Sequence, residues 1–228
     1  MAAVSLSCPA EPLEVACVES QPFGQNTYIV RRTDDTRCLV IDPGFEPGAI
    51  VDWIEAHGLQ PVAILLTHGH SDHIAGNGFL RDRWPALPIL IGKNDAAKLT
   101  NPAGNLSAAF GMPLVSPPAD RLLDHGERLA EAGLDLSVRE IPGHSRGHVV
   151  FMVEGVAPVV VFGGDVLFRE GVGRSDFPDG DPAVLAAGIR EHLYGLPDDA
   201  IVYPGHGGPT TIGHERRHNP FVPSGTTR

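Results

Sequence analysis

A dense group of potential metal ligands follows the apolar segment 62–66. The sequence there reads Thr-His-Gly-His-Ser-Asp-His, which places His68, His70, Asp72 and His73 within six residues. Neutral imidazole and carboxylate groups together suit zinc, iron or manganese. In an extended or turning loop His68 and His70 project to one side, and Asp72 and His73 can face a second centre. Chance alone gives roughly 0.002 such motifs in a chain of this composition, so the motif predicts a metal site.

Three later residues share the character of this motif. His144, Asp165 and His206 each lie on a glycine-containing loop after a strand-like segment, and glycine lets the backbone approach an ion closely. Alone, each is more often a hydrogen-bonded or turn residue, but the motif at 68–73 needs further ligands to complete a site. A single catalytic metal uses about three protein ligands. The larger set therefore suits two metals that share a bridging carboxylate.

Other nucleophilic chemistry has little support in the sequence. There is no Gly-x-Ser-x-Gly motif, and Cys8, Cys17 and Cys38 are odd in number, without a Cys-x-x-Cys pair. We therefore expect no disulfide framework and a reducing, cytoplasmic location. The first residues lack the basic region of a signal peptide. The remaining histidines have no comparable context and are predicted to be surface or helix residues: His57, His125, His192, His214 and His218.

Charge and length narrow the classes of partner. The chain has 228 residues, with 28 acidic and 17 basic side chains and a formal net charge of −11. This balance argues against a nucleic-acid partner and against an anionic membrane surface, and no apolar run approaches the length of a membrane span. A small-molecule substrate is expected instead. The length fits one domain over residues 1–228, as a monomer or a homodimer.

Strand-like and helix-like segments alternate along the chain. The pattern predicts helices after Pro47, over 74–83 and over 182–193, the last with Asp181 as N-cap, and a helix followed by a long loop over 94–118. Groups of strands with intervening helices favour two sheets with helices outside, a layered α/β arrangement. The strand at 62–66 should be buried on both faces. The predicted strands are 13–19, 26–32, 37–41, 62–66, 88–91, 134–141, 148–154, 158–162 and 200–203.

The order of these features resembles the metallo-β-lactamase superfamily. The His-x-His-x-Asp-His motif, the later His, the Asp after an apolar strand and the final His match it from about residue 13 to residue 222. Within the superfamily the chain is most similar to the short glyoxalase II-like hydrolases, of hydroxyacylglutathione hydrolase type. Three stretches carry that finer likeness: Ile-Pro-Gly-His-Ser-Arg-Gly-His at 141–148, Gly-Arg-Ser-Asp-Phe-Pro at 173–178, and Glu-Arg-Arg-His-Asn-Pro-Phe at 215–221.

The resemblance implies a four-layer αββα sandwich with the site at the edge between the sheets. It also implies two divalent metal ions, zinc first, with iron or manganese as alternatives. Asp42, in Ile-Asp-Pro-Gly, matches a position that supports the metal loop from behind, although Asp-Pro-Gly is a good turn sequence in any protein. The implied ligands form two trios and one bridge: His68, His70 and His144; Asp72, His73 and His206; and Asp165 between them.

Thioester hydrolysis is the reaction that this arrangement favours. A water shared by two cations ionises near neutral pH, and Asp72 and Asp165 are predicted to orient it or to accept its proton. A thiolate leaves with a pKa near 8–9, so no separate strong acid is required. S-D-lactoylglutathione is the expected acyl-thiol substrate. Arg174 and Arg146 are predicted to contact a substrate carboxylate, although arginines of this kind more often form surface ion pairs.

Several alternatives remain open from the sequence alone. Related persulfide dioxygenases share the Gly-Arg-Ser/Thr-Asp-Phe stretch and use one iron, held by counterparts of His68, His144 and Asp165. His148 and the Pro-Gly-His-Gly ending lean towards the hydrolases. Lactone hydrolysis uses the same ligand set, and a non-catalytic metal-bound sensor is a further alternative. A nuclease is disfavoured by length and charge. Longer glyoxalase II enzymes bind glutathione with an added helical domain, so here loops must do so, or the thiol differs.

Overall fold

Two β-sheets pack face to face in the computed structural model of the chain, which describes residues 4–6 and 8–223. The single domain predicted over residues 1–228 therefore extends beyond the described residues at both ends. The seven strands of the first sheet pair in chain order. They are β1 (Val4–Leu6), β2 (Leu13–Ser20), β3 (Gln25–Arg32), β4 (Arg37–Ile41), β5 (Gln60–Leu66), β6 (Ile89–Gly92) and β7 (Arg121–Leu123).

The first sheet changes from antiparallel to parallel pairing at β4. Parallel neighbours need a crossover, usually a helix, and the chain supplies α1 (Pro47–Ala56) between β4 and β5. Two short helices, α2 (Ser71–Ile74) and α3 (Asn77–Arg83), lie between β5 and β6. The crossover after β5 carries the His-x-His-x-Asp-His motif, so the motif begins where a central parallel strand ends.

The second sheet is formed by the later strands, in the order β15-β14-β11-β10-β9-β8. A separate two-stranded ribbon, β12 with β13, follows β11. Helix α4 (Pro182–His192) lies between the ribbon and β14, and α5 (Ile212–His218) follows β15. The strands are β8 (Arg128–Glu131), β9 (Leu134–Glu140), β10 (Val149–Val153), β11 (Val160–Gly164), β12 (Leu167–Phe168), β13 (Gly171–Val172), β14 (Ile201–Pro204) and β15 (Thr210–Thr211).

Alternate residues of the central strands enter two different cores. In β5, Ala63 and Leu65 face the second sheet, whereas Ile64 and Leu66 face the helices. This confirms that the apolar run at 62–66 is buried on both faces. The inter-sheet core includes Phe151 of β10, and burying a large apolar side chain of this kind stabilises the fold by roughly 1.5–3 kcal/mol.

Helices cover the outer face of each sheet. Ile50 and Ile54 of α1 pack on the first sheet, and Leu185 and Ile189 of α4 pack on the second. The result is the predicted four-layer αββα sandwich. Asp181 is the N-cap of α4 as expected, because its side chain accepts hydrogen bonds from the backbone N–H groups of residues 183 and 184.

Two predicted elements differ in the structure. The helix expected over 74–83 is divided into α2 and α3, which are separated at Ala75 and Gly76. Gly76 packs so closely on the turn after β4 that a Cβ there would lie 2.8 Å from the Gly44 carbonyl oxygen. The helix expected in 94–118 is instead a pair of short 3-10 helices, Ala96–Thr100 and Ser107–Phe110.

Several short elements escaped prediction altogether. They include β1, β7, β8, the β12–β13 ribbon, β15 and α5. Most lie at sheet edges, where pairing with a neighbour, rather than an apolar pattern, defines the strand. Within the described residues no helix combines the length and the apolar character that a membrane crossing requires.

Candidate metal centre

The predicted ligands meet at one edge of the sandwich, where strands of both sheets end. His68 follows β5, Asp165 follows β11 and His206 follows β14, while His144 lies on the loop between β9 and β10. Because β11 and β14 are parallel neighbours, their carboxyl ends lie side by side, which brings Asp165 close to His206. Strand topology thus converts residues far apart in the chain into one cluster.

A first trio of imidazoles converges on one point. The Nδ1 atom of His70 lies 2.9 Å from Nε2 of His144, which lies 3.2 Å from Nε2 of His68. Zinc–nitrogen bonds of about 2.0–2.1 Å in tetrahedral geometry place ligand atoms about 3.3 Å apart, close to these separations. Burial lowers the pKa of His68 and His70 well below the usual range, and lowers that of His144 too. All three are therefore neutral, the form that binds metal.

A second trio lies beside the first. The Oδ2 atom of Asp72 lies 3.4 Å from Nε2 of His206 and 3.8 Å from Nε2 of His73. Burial acts to raise the pKa of Asp72, but the facing His73 and His206 outweigh it, so the pKa is lowered. Asp72 is therefore an anion at neutral pH, as a metal ligand must be.

Asp165 stands between the two trios. Its Oδ1 lies 3.4 Å from Nε2 of His73, and its Oδ2 lies 3.5 Å from Nε2 of both His144 and His206. Burial opposes ionisation of Asp165, yet the surrounding imidazoles hold its pKa well below the usual range. One carboxylate thus faces members of both trios, in keeping with the predicted bridging role.

The same carboxylates act on the histidines that face them. Burial alone would lower the pKa of His73, but Asp165, Asp72 and Asp42 raise it well above the usual range. Burial is likewise overcome at His206, where hydrogen bonds to Asp165 and Asp72 raise the pKa to about 9. Without a metal, His73 and His206 are therefore protonated at neutral pH, and a bound cation would displace the protons from their Nε2 atoms.

Unpaired polar atoms test whether cations fit this centre. Among the described residues, Nε2 of His73 and Oδ1 of Asp165 are buried, and although they lie 3.4 Å apart, neither makes a hydrogen bond. A buried polar atom without a partner costs about 1–3 kcal/mol, and native proteins rarely leave one so. Both atoms face the space in front of the second trio, and a cation bound at that trio would be coordinated by them. The residues present therefore fit one divalent ion at each trio.

The outer ring nitrogens of three ligands are fixed by hydrogen bonds. His144 donates from Nδ1 to the Arg174 carbonyl oxygen at 2.7 Å, and His206 donates from Nδ1 to the Phe23 carbonyl oxygen at 3.1 Å. The Nδ1 atom of His73 donates to Oδ2 of Asp42 at 2.9 Å. Each bond fixes the ring orientation and directs Nε2 at the centre, so that Nε2 is the nitrogen that would bind a metal.

Asp42 supports the motif from behind, where the resemblance predicts it. Its Oδ1 accepts from the backbone N–H of Thr67 at 2.7 Å, and its Oδ2 accepts from the Thr67 hydroxyl at 2.6 Å. It also lies near His68 and His73, but hydrogen bonds already engage both of its oxygens. Asp42 has a φ of 51°, in the left-handed region that Asn and Asp tolerate best.

Two polar residues at this centre were given no role there by the sequence analysis, although His148 was noted as a feature of the hydrolases. His148 is buried and stacks on His68, with ring centroids 4.7 Å apart, and its Nε2 accepts the backbone N–H of Asp165 at 3.0 Å. Asp95 is buried and accepts the backbone N–H groups of Gly69 at 2.8 Å and of Gly147 at 2.7 Å. It also accepts from the Ser145 hydroxyl. It thereby joins the loop of His70 to the loop of His144. No local pattern marks Asp95 in the sequence.

A cavity of about 280 Å³ opens above the cluster. Arg174 is at its edge, where the guanidinium binds Asp176 through two hydrogen bonds of 3.0 and 2.9 Å. Arg146 lies outside the lining residues, on an exposed turn whose backbone N–H donates to Asp179 at 3.1 Å. Of the two predicted substrate-binding arginines, Arg174 alone thus reaches the cavity. Four phenylalanines are among the lining residues: Phe23, Phe110, Phe168 and Phe177.

Known proteins share this fold and much of this sequence. The family model of the metallo-β-lactamase superfamily matches residues 20–206. A probable metallo-hydrolase of Streptococcus pyogenes serotype M6 is 38% identical over 202 residues, 87% of this chain and 85% of that protein. The hydroxyacylglutathione hydrolase GloC of Haemophilus influenzae is 35% identical over 215 residues, 93% of this chain and 99% of GloC.

Solved structures agree with these relatives. The BLEG-1 B3 metallo-β-lactamase superposes with a TM-score of 0.85 at 36% identity, over 90% of this chain and 98% of that one. TTHA1623, crystallised in a di-iron-bound form, has a TM-score of 0.78 at 39% identity, over 90% and 99% of the chains. ETHE1 from Myxococcus xanthus has a TM-score of 0.76 at 26% identity, over 91% and 84%.

The sequence matches, the fold and the cluster of His and Asp side chains all indicate the same family. The matched region spans most of the chain and contains all seven predicted ligands. The clustered His and Asp side chains provide the ligand types that divalent metals take in proteins. The chain therefore belongs to the metallo-β-lactamase superfamily, as a metal-dependent hydrolase.

Proposed function

We propose that this protein hydrolyses a thioester of a small acyl-thiol, with two divalent cations bound at the two trios. The observation that carries the proposal is the position of Asp165, whose oxygens face His73 on one side and His144 on the other. A single-metal enzyme needs no second trio, yet Asp72 and His206 converge beside the first. The likeness to GloC supports a glutathione thioester such as S-D-lactoylglutathione as the substrate.

The roles of the protein groups follow from their positions. Bound cations would supply a hydroxide at neutral pH and stabilise the oxyanion that forms on the carbonyl. Asp72 and Asp165 face the same space and are the groups that orient the attacking water and accept its proton. The phenylalanines of the cavity would exclude bulk water once a substrate covers them, which would strengthen the electrostatic interactions in the site. Arg174, at the cavity edge, is positioned to bind a carboxylate of the thiol carrier.

The leaving group favours a thioester over an amide. Outside the proposed ligands, the described polar residues that line the cavity are Ser71 and Arg174. Neither is a good proton donor at neutral pH, because a serine hydroxyl is a weak acid and arginine stays protonated. A thiolate, with a pKa near 8–9, leaves without such help, whereas an amide nitrogen requires a proton.

Other members of the superfamily suggest alternative reactions. The first alternative is persulfide oxidation with one iron at His68, His144 and Asp165, and the likeness to ETHE1 supports it. A reaction at a single iron leaves the convergence of Asp72 with His206 unexplained. Hydrolysis of a β-lactam amide is a second, supported by the likeness to BLEG-1. A lactone hydrolase or a non-catalytic metal-bound sensor would use the same residues.

One preparation can separate these reactions. Metal content by mass spectrometry would be paired with thiol release from S-D-lactoylglutathione, oxygen uptake with glutathione persulfide, and opening of a chromogenic β-lactam. We expect about two metals per chain and thiol release. About one iron with oxygen uptake would instead establish the dioxygenase. A fully metallated protein that is inactive in every assay would favour the sensor.

A further inference from the structure

The cavity above the metal centre has an aromatic wall on the His206 side. The Phe23 carbonyl oxygen accepts from His206, and the Phe168 ring centroid lies 6.0 Å from that of His206. Phe110 packs edge-on against Phe23, with centroids 5.6 Å apart. These three phenylalanines, here called the phenylalanine wall, come from three separate segments that line the cavity: the turn between β2 and β3, the 3-10 helix Ser107–Phe110, and β12.

The His144 side of the cavity carries a positively charged side chain, that of Arg174. Phe177 lies there, with its ring centroid 5.6 Å from that of His144, and the Arg174 guanidinium lies 4.7 Å from the centre of the Phe177 ring. Among the described lining residues, Arg174 is the one side chain with a permanent positive charge. Asp176 holds the guanidinium through two exposed hydrogen bonds, and a carboxylate of the thiol carrier would compete for it there. With the thiol carrier on the Arg174 side, the acyl substituent of the thioester would face the phenylalanine wall.

The phenylalanine wall has the size and the chemistry for an apolar group. Phe110 is 52% exposed, so a group that covered it would remove apolar surface from water. A cavity of about 150 Å³ holds benzene, and this one, at about 280 Å³, has room for a larger group. The side chains of the wall offer neither a hydrogen-bond donor nor an acceptor, so the hydroxyl of a lactoyl group would find no partner on them.

We propose that the preferred substrate is a thioester with an apolar acyl group, alkyl or aryl, that packs against Phe23, Phe110 and Phe168. This inference rests on the proposed thioester hydrolysis and narrows its substrate class. It also reverses the expectation that the small, polar lactoyl group is the best acyl substituent. The thiol carrier keeps its contact with Arg174.

A series of glutathione thioesters tests the preference directly. The thiol stays constant, and the acyl group is acetyl, butyryl, hexanoyl, benzoyl or D-lactoyl. With fully metallated protein we expect kcat/KM to rise by up to about fourfold for each added methylene, since each buried methylene contributes about 0.8 kcal/mol. The kcat/KM for the hexanoyl thioester should exceed that for the D-lactoyl thioester by about tenfold or more. Equal or faster turnover of D-lactoyl would overturn the inference.

Two matched variants locate the preference at the wall. Phe110→Ala removes one ring of the wall, and Phe79→Ala removes a ring on α3 that is equally exposed, at 51%, but lies outside the cavity. The ratio of kcat/KM for hexanoyl to that for acetyl should fall about fivefold or more in Phe110→Ala and stay unchanged in Phe79→Ala. Metal content and the unfolding midpoint would be measured for both. An equal change, or no change, in the two variants contradicts the role of the wall.

Binding without turnover separates this inference from the proposed function. S-Hexylglutathione and S-methylglutathione are thioethers that cannot be hydrolysed, and calorimetry measures their affinities directly. We expect the hexyl compound to bind about tenfold or more tightly to the wild type, with most of that advantage lost in Phe110→Ala. If this holds while no thioester is cleaved, the wall has its proposed ligand and the thioesterase proposal is wrong. Thioester cleavage without the hexyl preference would refute the role of the wall and support the proposed function.

Discussion

Oδ2 of Asp42 lies 2.9 Å from Nδ1 of His73, on the side of the imidazole opposite the metal centre. Both side chains are buried. The carboxylate therefore fixes a proton on Nδ1, so that Nε2 is the nitrogen directed at the second trio and the one whose proton a bound cation would displace. The same carboxylate binds both polar hydrogens of Thr67, so it also sets where the motif loop begins. One acidic group at the end of β4 thus orients the loop and one of its ligands.

Replacing Asp42 by asparagine tests whether its carboxylate supports the metal ligands. Asp42→Asn retains the left-handed backbone, which asparagine tolerates, but turns one accepting oxygen into an NH2 group that must face a donor. We expect metal affinity to fall about 10- to 100-fold, the usual cost of losing such a partner. Titration against a chromophoric chelator measures it. Asp35→Asn, at a surface pair with Arg37, is the control. Equal affinity in the two variants would show that Asp42 does not support the ligands.

The bridging role of Asp165 makes a separate prediction. In Asp165→Ala the carboxylate is lost, while the backbone N–H that donates to His148 is retained. We expect the metal content to fall from about two ions per chain to one or fewer, and thioester hydrolysis to fall with it by about 100-fold or more. Mass spectrometry and thiol release measure the two effects on one sample. A variant that keeps its full metal content would refute the bridge.

The sequence predicted those parts of the fold that carry strong local patterns. Strands β4 and β5 are continuous apolar runs because alternate residues, such as Ile64 and Leu65, enter different cores. The short edge strands β7 and β8 lack such a run and exist through pairing with a neighbour. The break between α2 and α3 also depends on a distant contact, that of Gly76 with the turn after β4.

The same distinction applies to the metal centre. The spacing from His68 to His73 is local, and it allowed the later ligands to be recognised on their glycine-containing loops. Asp95 acts on a backbone group 52 positions away in the chain, and the phenylalanine wall is assembled from three segments that are distant in the sequence. Neither leaves a periodic or spaced pattern. Residues that position or enclose a site through long-range contacts become visible only when the chain is folded.

Asp95 should contribute to stability through the loops that it joins. In Asp95→Ala, the buried N–H groups of Gly69 and Gly147 lose their acceptor, and such losses cost about 1–3 kcal/mol each. We expect the free energy of unfolding to fall by about 2–4 kcal/mol. Urea denaturation measures it. Asp124→Ala, which removes an exposed partner of Lys93, should change it by less than about 0.5 kcal/mol. Similar values for both would contradict the role of Asp95.

The thiols of the half-buried Cys17 and the buried Cys38 should resist alkylation in a pH-dependent way. Burial raises the pKa of both Cys17 and Cys38 from 9.0 to about 12, and the thiolate is the reactive form. At pH 8 a thiol of pKa 12 is ionised roughly a thousandfold less than one of pKa 9. Alkylation of these two should therefore be slow in the folded protein and rise about tenfold per pH unit up to pH 12. Peptide mapping after iodoacetamide treatment measures this, with urea-unfolded protein as the control. Labelling of Cys17 and Cys38 in the folded protein as rapid as in the unfolded control would contradict the prediction.

Removing the metals should destabilise the whole protein. Without metal, Nε2 of His73 and Oδ1 of Asp165 are buried and make no hydrogen bond. A ligand that binds only the folded state stabilises it by about 4 kcal/mol at a thousand times its Kd. For a chain of this size each kcal/mol corresponds to about 2–4 °C, so chelation should lower the unfolding midpoint by about 8–16 °C. Scanning calorimetry after exhaustive dialysis measures this. Zinc, iron(II) or manganese(II) should restore the midpoint, whereas magnesium, which prefers oxygen ligands, should not. Identical midpoints with and without metal would mean that the cluster holds no ion tightly.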